Sequence, residues 1–325
     1  MTNDRPRVFV TRQIPAPALA RLSAVADVDL WPGNLPPARS ELERRVAGCA
    51  GLLSLLSDRI DGALLDRAGS SLRVISNYAV GVNNIDRVAA RQRGIAVGNT
   101  PGALTDATAD MAVLLLLAAA RRFSEAILQV RQRLWRTWEP LGLLGRELRG
   151  RSLGIVGAGR IGEAVAERLH GGWQMQIHYT SRQAKPQWEQ RFGARRMELD
   201  DLLCTSDFVS LHCDLNPSTH RMIDARRLSL MPLHAVLVNT SRGEVIDQAA
   251  LYHALACGRL LAAGLDVTDP EPLPAESPLR SLPNCIIAPH IGSATVEART
   301  AMAEIAVDNL LAGLEGRPLP HAVST

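Results

Sequence analysis

Three side chains that could bind and polarise a small organic acid occupy equivalent places in the second half of the chain. Arg242, Glu271 and His290 each follow an apolar run typical of a buried strand. Ligands of parallel sheets bind beyond the carboxyl ends of the strands. A guanidinium can hold a carboxylate through two hydrogen bonds and polarise an adjacent carbonyl. Taken singly, the three could be a surface arginine, a solvated carboxylate and a structural histidine, but their succession at strand ends favours one shared site.

A glycine-rich motif earlier in the chain predicts a dinucleotide site. Gly157-Ala158-Gly159-Arg160-Ile161-Gly162 follows the apolar run Ser152–Val156 and opens the helical segment Glu163–Leu169. In this context the first glycine makes a tight turn, the second admits a pyrophosphate close to the backbone, and the third lets the helix pack on the strand. The helix N-terminus offers N–H donors and partial positive charge. The alternative is a glycine-rich turn that binds no nucleotide.

The end of the next strand indicates which dinucleotide is preferred. Sites selective for NAD carry an acidic residue here for the ribose 2′-hydroxyl, but the strand Gln176–Thr180 is followed by Ser181 and Arg182, with Lys185 just beyond. A guanidinium matches a 2′-phosphate through charge-assisted hydrogen bonds. NADPH is therefore the predicted cofactor, with NADH as the other candidate. Because Lys185 is the only lysine among 36 basic residues, Arg182 could also be an ordinary solvated arginine.

Two series of apolar runs separated by helical segments must position these residues, and they predict an α/β protein with two doubly wound parallel sheets. The first series is Val8–Val10, Gly51–Leu56, Val74–Tyr78 and Ile95–Val97, and the second is Leu153–Val156, Ile177–Thr180, Phe208–Leu211, Val236–Asn239, Ala263–Asp266 and Ile286–Ala288. The apolar helix Ala107–Ala120 links the series. The tail Thr295–Gly313 has helical periodicity and is expected to return to the first domain.

The predicted architecture is a Rossmann nucleotide-binding domain, residues 104–292, inserted into a discontinuous flavodoxin-like substrate-binding domain, residues 1–103 and 293–325. Two chain crossings between such domains suit a hinge that closes over a cleft.

Bulk properties exclude several other classes. The 325 residues are 46% apolar and 21% charged, as in soluble globular proteins, and a net charge of +3 without a basic block gives no support to a nucleic-acid ligand. The longest apolar run, Met111–Ala120, is too short to span a bilayer, and the N-terminus lacks a signal-peptide pattern. We therefore expect a cytoplasmic protein without membrane spans. Five cysteines without C-x-x-C spacing predict reduced thiols, and no metal-binding motif is present.

Several segments together resemble the D-isomer-specific 2-hydroxyacid dehydrogenases. The family resemblance lies in Gly157–Gly162, Val238–Gly243, Asp266–Pro272 and Pro289–Thr295. Within the family, the chain most closely resembles the glyoxylate and hydroxypyruvate reductases. This closer resemblance lies in the segments Tyr78–Asp86, Thr100–Ala109 and Gly264–Thr268. The resemblance runs from about residue 7 to about residue 320, with motifs of both domains in the same order.

The resemblance makes His290 the general acid, Glu271 its hydrogen-bonded partner and Arg242 the cation that orients the substrate. Hydride transfer to a carbonyl carbon next to a carboxylate builds negative charge on the carbonyl oxygen, which an imidazolium neutralises by giving up a proton. A neighbouring carboxylate favours the charged imidazole. Arg242 cannot lose its charge and can bind both the carboxylate and the carbonyl oxygen.

The resemblance also implies the remaining contacts. Backbone N–H groups of Val80 and Gly81 would hold the substrate carboxylate when the domains close, and Ser293 would border the substrate. Asp266 would face the nicotinamide amide and Thr108 would lie near the phosphates. The full set implied for the cofactor is Thr108, Gly157, Ala158, Gly159, Arg160, Ile161, Gly162, Thr180, Ser181, Arg182, Lys185, Thr240, Asp266, His290 and Gly292.

The segment Leu134–Trp138 contains two tryptophans and bears on whether the chain forms a dimer. We expect Trp138 to border the substrate cleft. The resemblance implies that it reaches the site of a neighbouring subunit in a homodimer formed through the nucleotide-binding domain. The alternative is that it anchors the dimer interface without touching substrate.

The sequence therefore predicts an NADPH-preferring reductase that converts glyoxylate and hydroxypyruvate to glycolate and D-glycerate. One alternative is an NAD-dependent D-2-hydroxyacid dehydrogenase for another acid, such as D-lactate or 3-phosphoglycerate. Another is a dinucleotide-sensing binding protein like the corepressors that share this fold. The sequence does not rank glyoxylate against hydroxypyruvate.

Overall fold

The computed structural model describes residues 5–323, which divide into two compact units. The first unit comprises the chain up to Leu104 and from Ala294 onward, and the second is Thr105–Ser293. No helix within the described residues has the length and apolar character needed to cross a membrane.

The first unit contains a five-stranded parallel sheet. Its strands are β1 (Arg7–Val10), β2 (Asp27–Leu30), β3 (Gly51–Ser54), β4 (Val74–Asn77) and β5 (Ala96–Gly98), in the order β2-β1-β3-β4-β5. Its helices are α1 (Ala16–Val25), α2 (Arg39–Val46), α3 (Gly62–Ala68), α4 (Arg87–Gln92) and the C-terminal α12 (Val296–Leu314). This strand order is that of flavodoxin-like folds.

The side chains of this sheet alternate between two buried clusters, one on each face. Val8 and Val10 pack with α1 and α12, whereas Phe9 packs with α2, α3 and α4. The predicted C-terminal helix is present, and it packs on β3 and β4. The hydroxyl of Tyr78 donates a 2.6 Å hydrogen bond to the carbonyl of Arg299, which ties the end of β4 to the first turn of α12.

The second unit contains a seven-stranded parallel sheet. Its strands are β6 (Ser152–Val156), β7 (Gln176–Thr180), β8 (Arg195–Arg196), β9 (Phe208–Leu211), β10 (Val236–Asn239), β11 (Ala262–Leu265) and β12 (Cys285–Ile287). The order is β12-β11-β10-β9-β6-β7-β8. The chain builds outward from β6 to β8, then returns to β9 on the other side of β6. Such a reversal creates the crevice in which open α/β sheets bind ligands.

Helices cover both faces of this sheet. They are α5 (Thr105–Ala120), α6 (Phe123–Arg131), α7 (Arg160–Trp173), α8 (Pro186–Phe192), α9 (Leu199–Thr205), α10 (Ala225–Leu230) and α11 (Gln248–Ala256). The apolar α5 packs against α7, β10 and β11. Gly264 permits this contact, because a Cβ there would lie 2.9 Å from the Cβ of Leu115.

The predicted fold class is confirmed, but two strands were missed in the sequence. The strand β2 alternates acidic and apolar residues, and β8 consists of two arginines. Both lie at sheet edges, where one side of the strand needs no partner. Short polar edge strands carry little apolar signal because polar edges protect a sheet from further pairing.

Two helical glycines give a matched test of the packing. A Cβ on Gly313 in α12 would lie 2.5 Å from the side chain of Val74, whereas a Cβ on Gly172 in α7 would meet nothing within 4 Å. We expect Gly313→Ala to lower the free energy of unfolding by about 1–3 kcal/mol through overpacking. Gly172→Ala should raise it by up to about 1 kcal/mol through helix propensity. Thermal melts followed by circular dichroism measure both, and a stabilising Gly313→Ala would contradict this packing.

Candidate active site

The ends of β10, β11 and β12 bring most of the predicted chemical residues to one edge of the second sheet. Arg242 lies three residues beyond β10, Asp266 directly follows β11, and His290 lies three residues beyond β12. These strands are adjacent and parallel, with Asn239 opposite Leu265 and Leu265 opposite Ile287. The shared register carries the three following segments in the same direction.

His290 and Glu271 form a hydrogen-bonded pair. The Nδ1 atom of His290 lies 2.9 Å from Oε2 of Glu271, which leaves Nε2 as the ring nitrogen available to another molecule. Both side chains line a cavity of about 540 Å³ whose wall also includes Leu273, Arg280 and Ile287. The backbone of His290 has φ +55°. This left-handed conformation is uncommon outside glycine, although histidine adopts it more readily than most residues.

Asp266 fixes the segment that follows His290. Its Oδ1 accepts a 2.8 Å hydrogen bond from the N–H of Ile291, and its Oδ2 accepts one of 2.7 Å from the N–H of Gly292. The carboxylate is almost wholly buried. Burial raises its pKa above the usual range, while the two N–H donors and nearby His290 act in the opposite direction. The carbonyl of Gly292 in turn accepts a hydrogen bond from the hydroxyl of Thr108, 3.3 Å away.

Arg242 is half-buried and shares the electrostatic environment of the pair. Burial lowers its pKa from the ordinary value, and the carboxylates of Glu244, Glu271 and Asp214 oppose that shift. Its guanidinium donates through Nη1 to the carbonyl of Ser241, at 2.6 Å. An arginine retains its charge under such a shift. The residue therefore supplies a permanent cation close to Glu271.

Gly243 allows the Arg242 segment to approach the loop after β11. A Cβ at this position would lie 2.0 Å from the carbonyl carbon and oxygen of Thr268. No side chain fits in that space. The backbone of Arg242 is also held by Asn239, whose side chain donates a 2.8 Å hydrogen bond to the carbonyl of Arg242.

The glycine-rich segment has the geometry that a dinucleotide requires. Gly157 adopts φ +102°, and a Cβ there would lie 2.6 Å from the backbone of His212 and Cys213. A Cβ on Gly162 would lie 2.4 Å from the carbonyl oxygen of Gly157. At Gly159, by contrast, a Cβ would meet nothing within 4 Å, and no side chain caps the α7 N-terminus there. The open face and uncapped N–H groups fit a pyrophosphate.

The turn after β7 carries the residues predicted to select the cofactor. Thr180 ends the strand, Ser181 is half-buried and Arg182 is exposed. The backbone N–H of Lys185 donates a 2.7 Å hydrogen bond to the hydroxyl oxygen of Tyr179. Neither Arg182 nor Lys185 forms an ion pair with any residue between 5 and 323.

Thr240 makes a contact that the sequence did not reveal. This residue is buried, and its Oγ1 lies 3.5 Å from Nδ1 of His212, whose Nε2 lies 2.8 Å from Oγ of Ser210. Burial lowers the pKa of His212 to about 4, so the ring is neutral near pH 7. The signal was a histidine directly after the mostly apolar strand β9.

Val80 and Gly81 lie in the first unit, in the turn after β4. Two buried or half-buried amides hold this turn from within that unit. The side chain of Asn77 donates 2.9 Å to the carbonyl of Gly81, and the side chain of Asn99 donates 2.7 Å to the carbonyl of Val80. Because a carbonyl shares its peptide plane with the next N–H, the bond to the carbonyl of Val80 fixes the N–H of Gly81, and a 3.0 Å bond from the N–H of Thr100 to the carbonyl of Ala79 fixes the N–H of Val80. A buried asparagine at the end of β4 was the available sequence signal.

The remaining predicted site residues are dispersed. Ser293 is half-buried at the end of the second unit. Trp138 is 80% exposed, on the irregular segment between α6 and β6. Several large apolar side chains of α6 and this segment are also exposed, namely Phe123, Ile127, Leu128, Val130, Leu134, Trp135, Leu141 and Leu144. No group of three His, Cys, Asp or Glu side chains within the described part of the chain could hold a metal ion.

Comparisons with known proteins identify the family of this chain. Residues 113–292 match the family model described as "D-isomer specific 2-hydroxyacid dehydrogenase, NAD binding domain". The chain is 46% identical over 316 residues to the human glyoxylate reductase/hydroxypyruvate reductase, covering 97% of this chain and 96% of the human protein.

Solved structures show the same similarity. The crystal structure of a protein from Thermus thermophilus superposes with a TM-score of 0.91 at 48% identity, covering 98% of this chain and 100% of the other. An NADPH-dependent glyoxylate/hydroxypyruvate reductase from Sinorhizobium meliloti, solved with NADP and malonate, gives a TM-score of 0.84 at 32% identity, covering 99% and 97%. The chain belongs to the D-isomer-specific 2-hydroxyacid dehydrogenase family and is an enzyme of that family.

Proposed function

We propose that this enzyme is an NADPH-preferring reductase of glyoxylate and hydroxypyruvate, forming glycolate and D-glycerate. The observation that carries the proposal is the His290–Glu271 pair beside the permanent charge of Arg242. An imidazole held by a carboxylate and a neighbouring guanidinium suit a 2-oxo acid, whose carbonyl and carboxylate are adjacent. The human and Sinorhizobium meliloti relatives are named for these two substrates.

When bound, the reduced dinucleotide supplies a hydride to the carbonyl carbon. Arg242 orients the substrate by binding its carboxylate and carbonyl oxygen, and its positive charge stabilises the negative charge that develops on that oxygen. His290 gives the oxygen a proton from Nε2, because Nδ1 is engaged by Glu271. Glu271 engages Nδ1 and holds the ring in position.

The dinucleotide site is formed by the second unit. Backbone N–H groups of Gly157–Gly162 would receive the pyrophosphate at the N-terminus of α7, where Gly159 leaves the approach open. Thr108 would lie near the phosphates. Thr240, Asp266 and Gly292 would border the nicotinamide half, and Thr180, Ser181, Arg182 and Lys185 the adenosine half. The carboxylate of Asp266 also accepts hydrogen bonds from the N–H groups of Ile291 and Gly292. Asp266 therefore also supports the segment that contains His290.

The preference for NADPH rests on the turn after β7. It contains the cations Arg182 and Lys185 and no acidic side chain between Thr180 and Lys185, so a ribose 2′-phosphate meets attraction without competing repulsion. The Sinorhizobium meliloti relative is described as NADPH-dependent and was solved with NADP. For the substrate, the N–H groups of Val80 and Gly81 are the proposed carboxylate donors, with Ser293 at the border.

The proposed assembly is a homodimer formed through the nucleotide-binding unit. Its support is the exposed apolar surface of α6 and the following segment, from Phe123 to Leu144. Apolar surface concentrated in this way marks interaction sites. Trp138 lies on this surface and is proposed to border the substrate of the neighbouring subunit.

The first test compares oxidation of NADPH and of NADH by the purified enzyme with glyoxylate, hydroxypyruvate and pyruvate. We expect a higher kcat/KM with NADPH, and with glyoxylate and hydroxypyruvate. Turnover restricted to NADH would contradict the cofactor proposal and leave the reaction class intact. Turnover restricted to another 2-oxo acid would contradict the substrate proposal.

The second test addresses the proton donor. Asn tolerates the left-handed backbone of position 290, so His290→Asn should remove the imidazole without added strain. We expect kcat to fall about 10²–10⁴-fold. Glu271→Gln should cause a smaller fall, and it should add little in the His290→Asn background because the two residues act as a unit. His220→Asn, at an exposed histidine, is the control. A loss below tenfold for folded His290→Asn would assign the proton to another group.

The third test concerns Trp138 and the dimer. Sedimentation equilibrium should give twice the chain mass of 35.1 kDa. Trp138→Ala should change KM and the ratio of kcat/KM between glyoxylate and hydroxypyruvate, whereas Trp135→Ala on the same exposed segment should leave that ratio within about twofold. If Trp138→Ala remains dimeric with KM and the ratio unchanged, Trp138 contributes only to the interface.

A further inference from the structure

The edge strand β8 places an arginine directly against the turn that follows β7. Tyr179 and Arg196 are opposite each other in the parallel pairing of the two strands. The guanidinium of Arg196 donates through Nη2 to the carbonyl of Ser181, at 3.0 Å, and to that of Arg182, at 3.4 Å. A side chain from β8 therefore holds the two residues to which the sequence assigns cofactor selection.

The hydrogen bonds of Arg196 leave most of its donors and all of its charge available. Its Nε and Nη1 atoms donate to no atom of residues 5–323, and within that range it forms no ion pair. Two other arginines of this unit, by contrast, form ion pairs. Arg168 pairs with Asp106 and Asp110, and Arg191 pairs with Glu163 and Glu167. An exposed guanidinium anchored to backbone carbonyls, and free of carboxylates, has unused capacity for an anion.

Arg196 also differs from Arg182 in how it is held. The side chain of Arg182 makes no hydrogen bond to the described residues, so fixing it on a ligand costs side-chain entropy. Arg196 is already anchored at one end of its planar group. A pre-positioned charge loses less freedom when an anion binds.

We propose that Arg196 is a specificity-determining residue that selects a 2′-phosphorylated dinucleotide. It supplies a second guanidinium at the Ser181–Arg182 turn and fixes the carbonyls of that turn, so that Ser181 and Arg182 face the phosphate. This inference rests on the proposed preference for NADPH and adds to it a residue 14 positions beyond Arg182 in the sequence, on a different strand.

Arg195 provides a matched control. It is exposed and precedes Arg196 in β8, so its replacement removes the same charge. Successive side chains of a strand point to opposite faces, and Arg195 is paired with His178 rather than Tyr179. Arg196→Met and Arg195→Met therefore remove the same charge from adjacent positions, and only Arg196→Met removes hydrogen bonds to the turn.

The test measures binding without turnover. Adenosine 2′,5′-bisphosphate and 5′-AMP, which differ by the 2′-phosphate, are titrated calorimetrically into the wild-type enzyme and both variants. We expect Arg196→Met to raise the Kd of the bisphosphate about tenfold and to leave that of 5′-AMP within about twofold. Arg195→Met should change both by less than about twofold. The ratio of kcat/KM for NADPH to that for NADH should fall with the bisphosphate affinity in Arg196→Met.

Three results would overturn the inference. Equal losses in Arg195→Met and Arg196→Met would show an effect of net charge alone. An unchanged bisphosphate affinity in Arg196→Met would remove the residue from the site while the NADPH proposal stands. A wild-type enzyme that binds the bisphosphate no more tightly than 5′-AMP would refute the NADPH preference itself, and the role of Arg196 with it.

Discussion

The candidate active site depends on the hydrogen bonds that the buried carboxylate of Asp266 accepts. It stands at the end of β11 and accepts one hydrogen bond on each oxygen, from the N–H groups of Ile291 and Gly292. These two residues follow His290 directly, so the backbone that carries the imidazole is held by a residue at the end of a neighbouring strand. Without this carboxylate both N–H groups would lose their partner, and leaving the buried one at Gly292 unpaired would cost about 1–3 kcal/mol.

Close backbone contacts complete this arrangement. The segment containing Arg242 reaches the Thr268 loop only because position 243 has no side chain, and α7 reaches β6 only because position 162 has none. In both places a methyl group would overlap backbone atoms, which cannot move aside like the end of a flexible side chain. The distances between functional groups are thus set by backbone contacts. Such contacts are stiffer than side-chain packing and suit a site whose groups must meet a small substrate accurately.

The sequence predicted the parallel sheets and the family because strong local signals carry both. Continuous apolar runs mark buried parallel strands, and the glycine spacing marks the turn into α7. The prediction from the sequence failed for β2 and β8, because a strand at the edge of a sheet does not need apolar residues. It also failed for His212 and Arg196, whose contacts join residues that strand pairing alone brings together. The roles of Arg242, Glu271 and His290 remain predictions, although the last two do form a pair.

The strand order separates two functions across the second sheet. The residues proposed for chemistry follow β10, β11 and β12, whereas those proposed for cofactor choice lie on β7 and β8. Five strand intervals separate β12 from β7, or about 24 Å at the usual spacing. Substitutions this far apart, with no shared partner, combine nearly additively. The preference for one dinucleotide can therefore drift over generations, or be redesigned, with little disturbance to proton transfer.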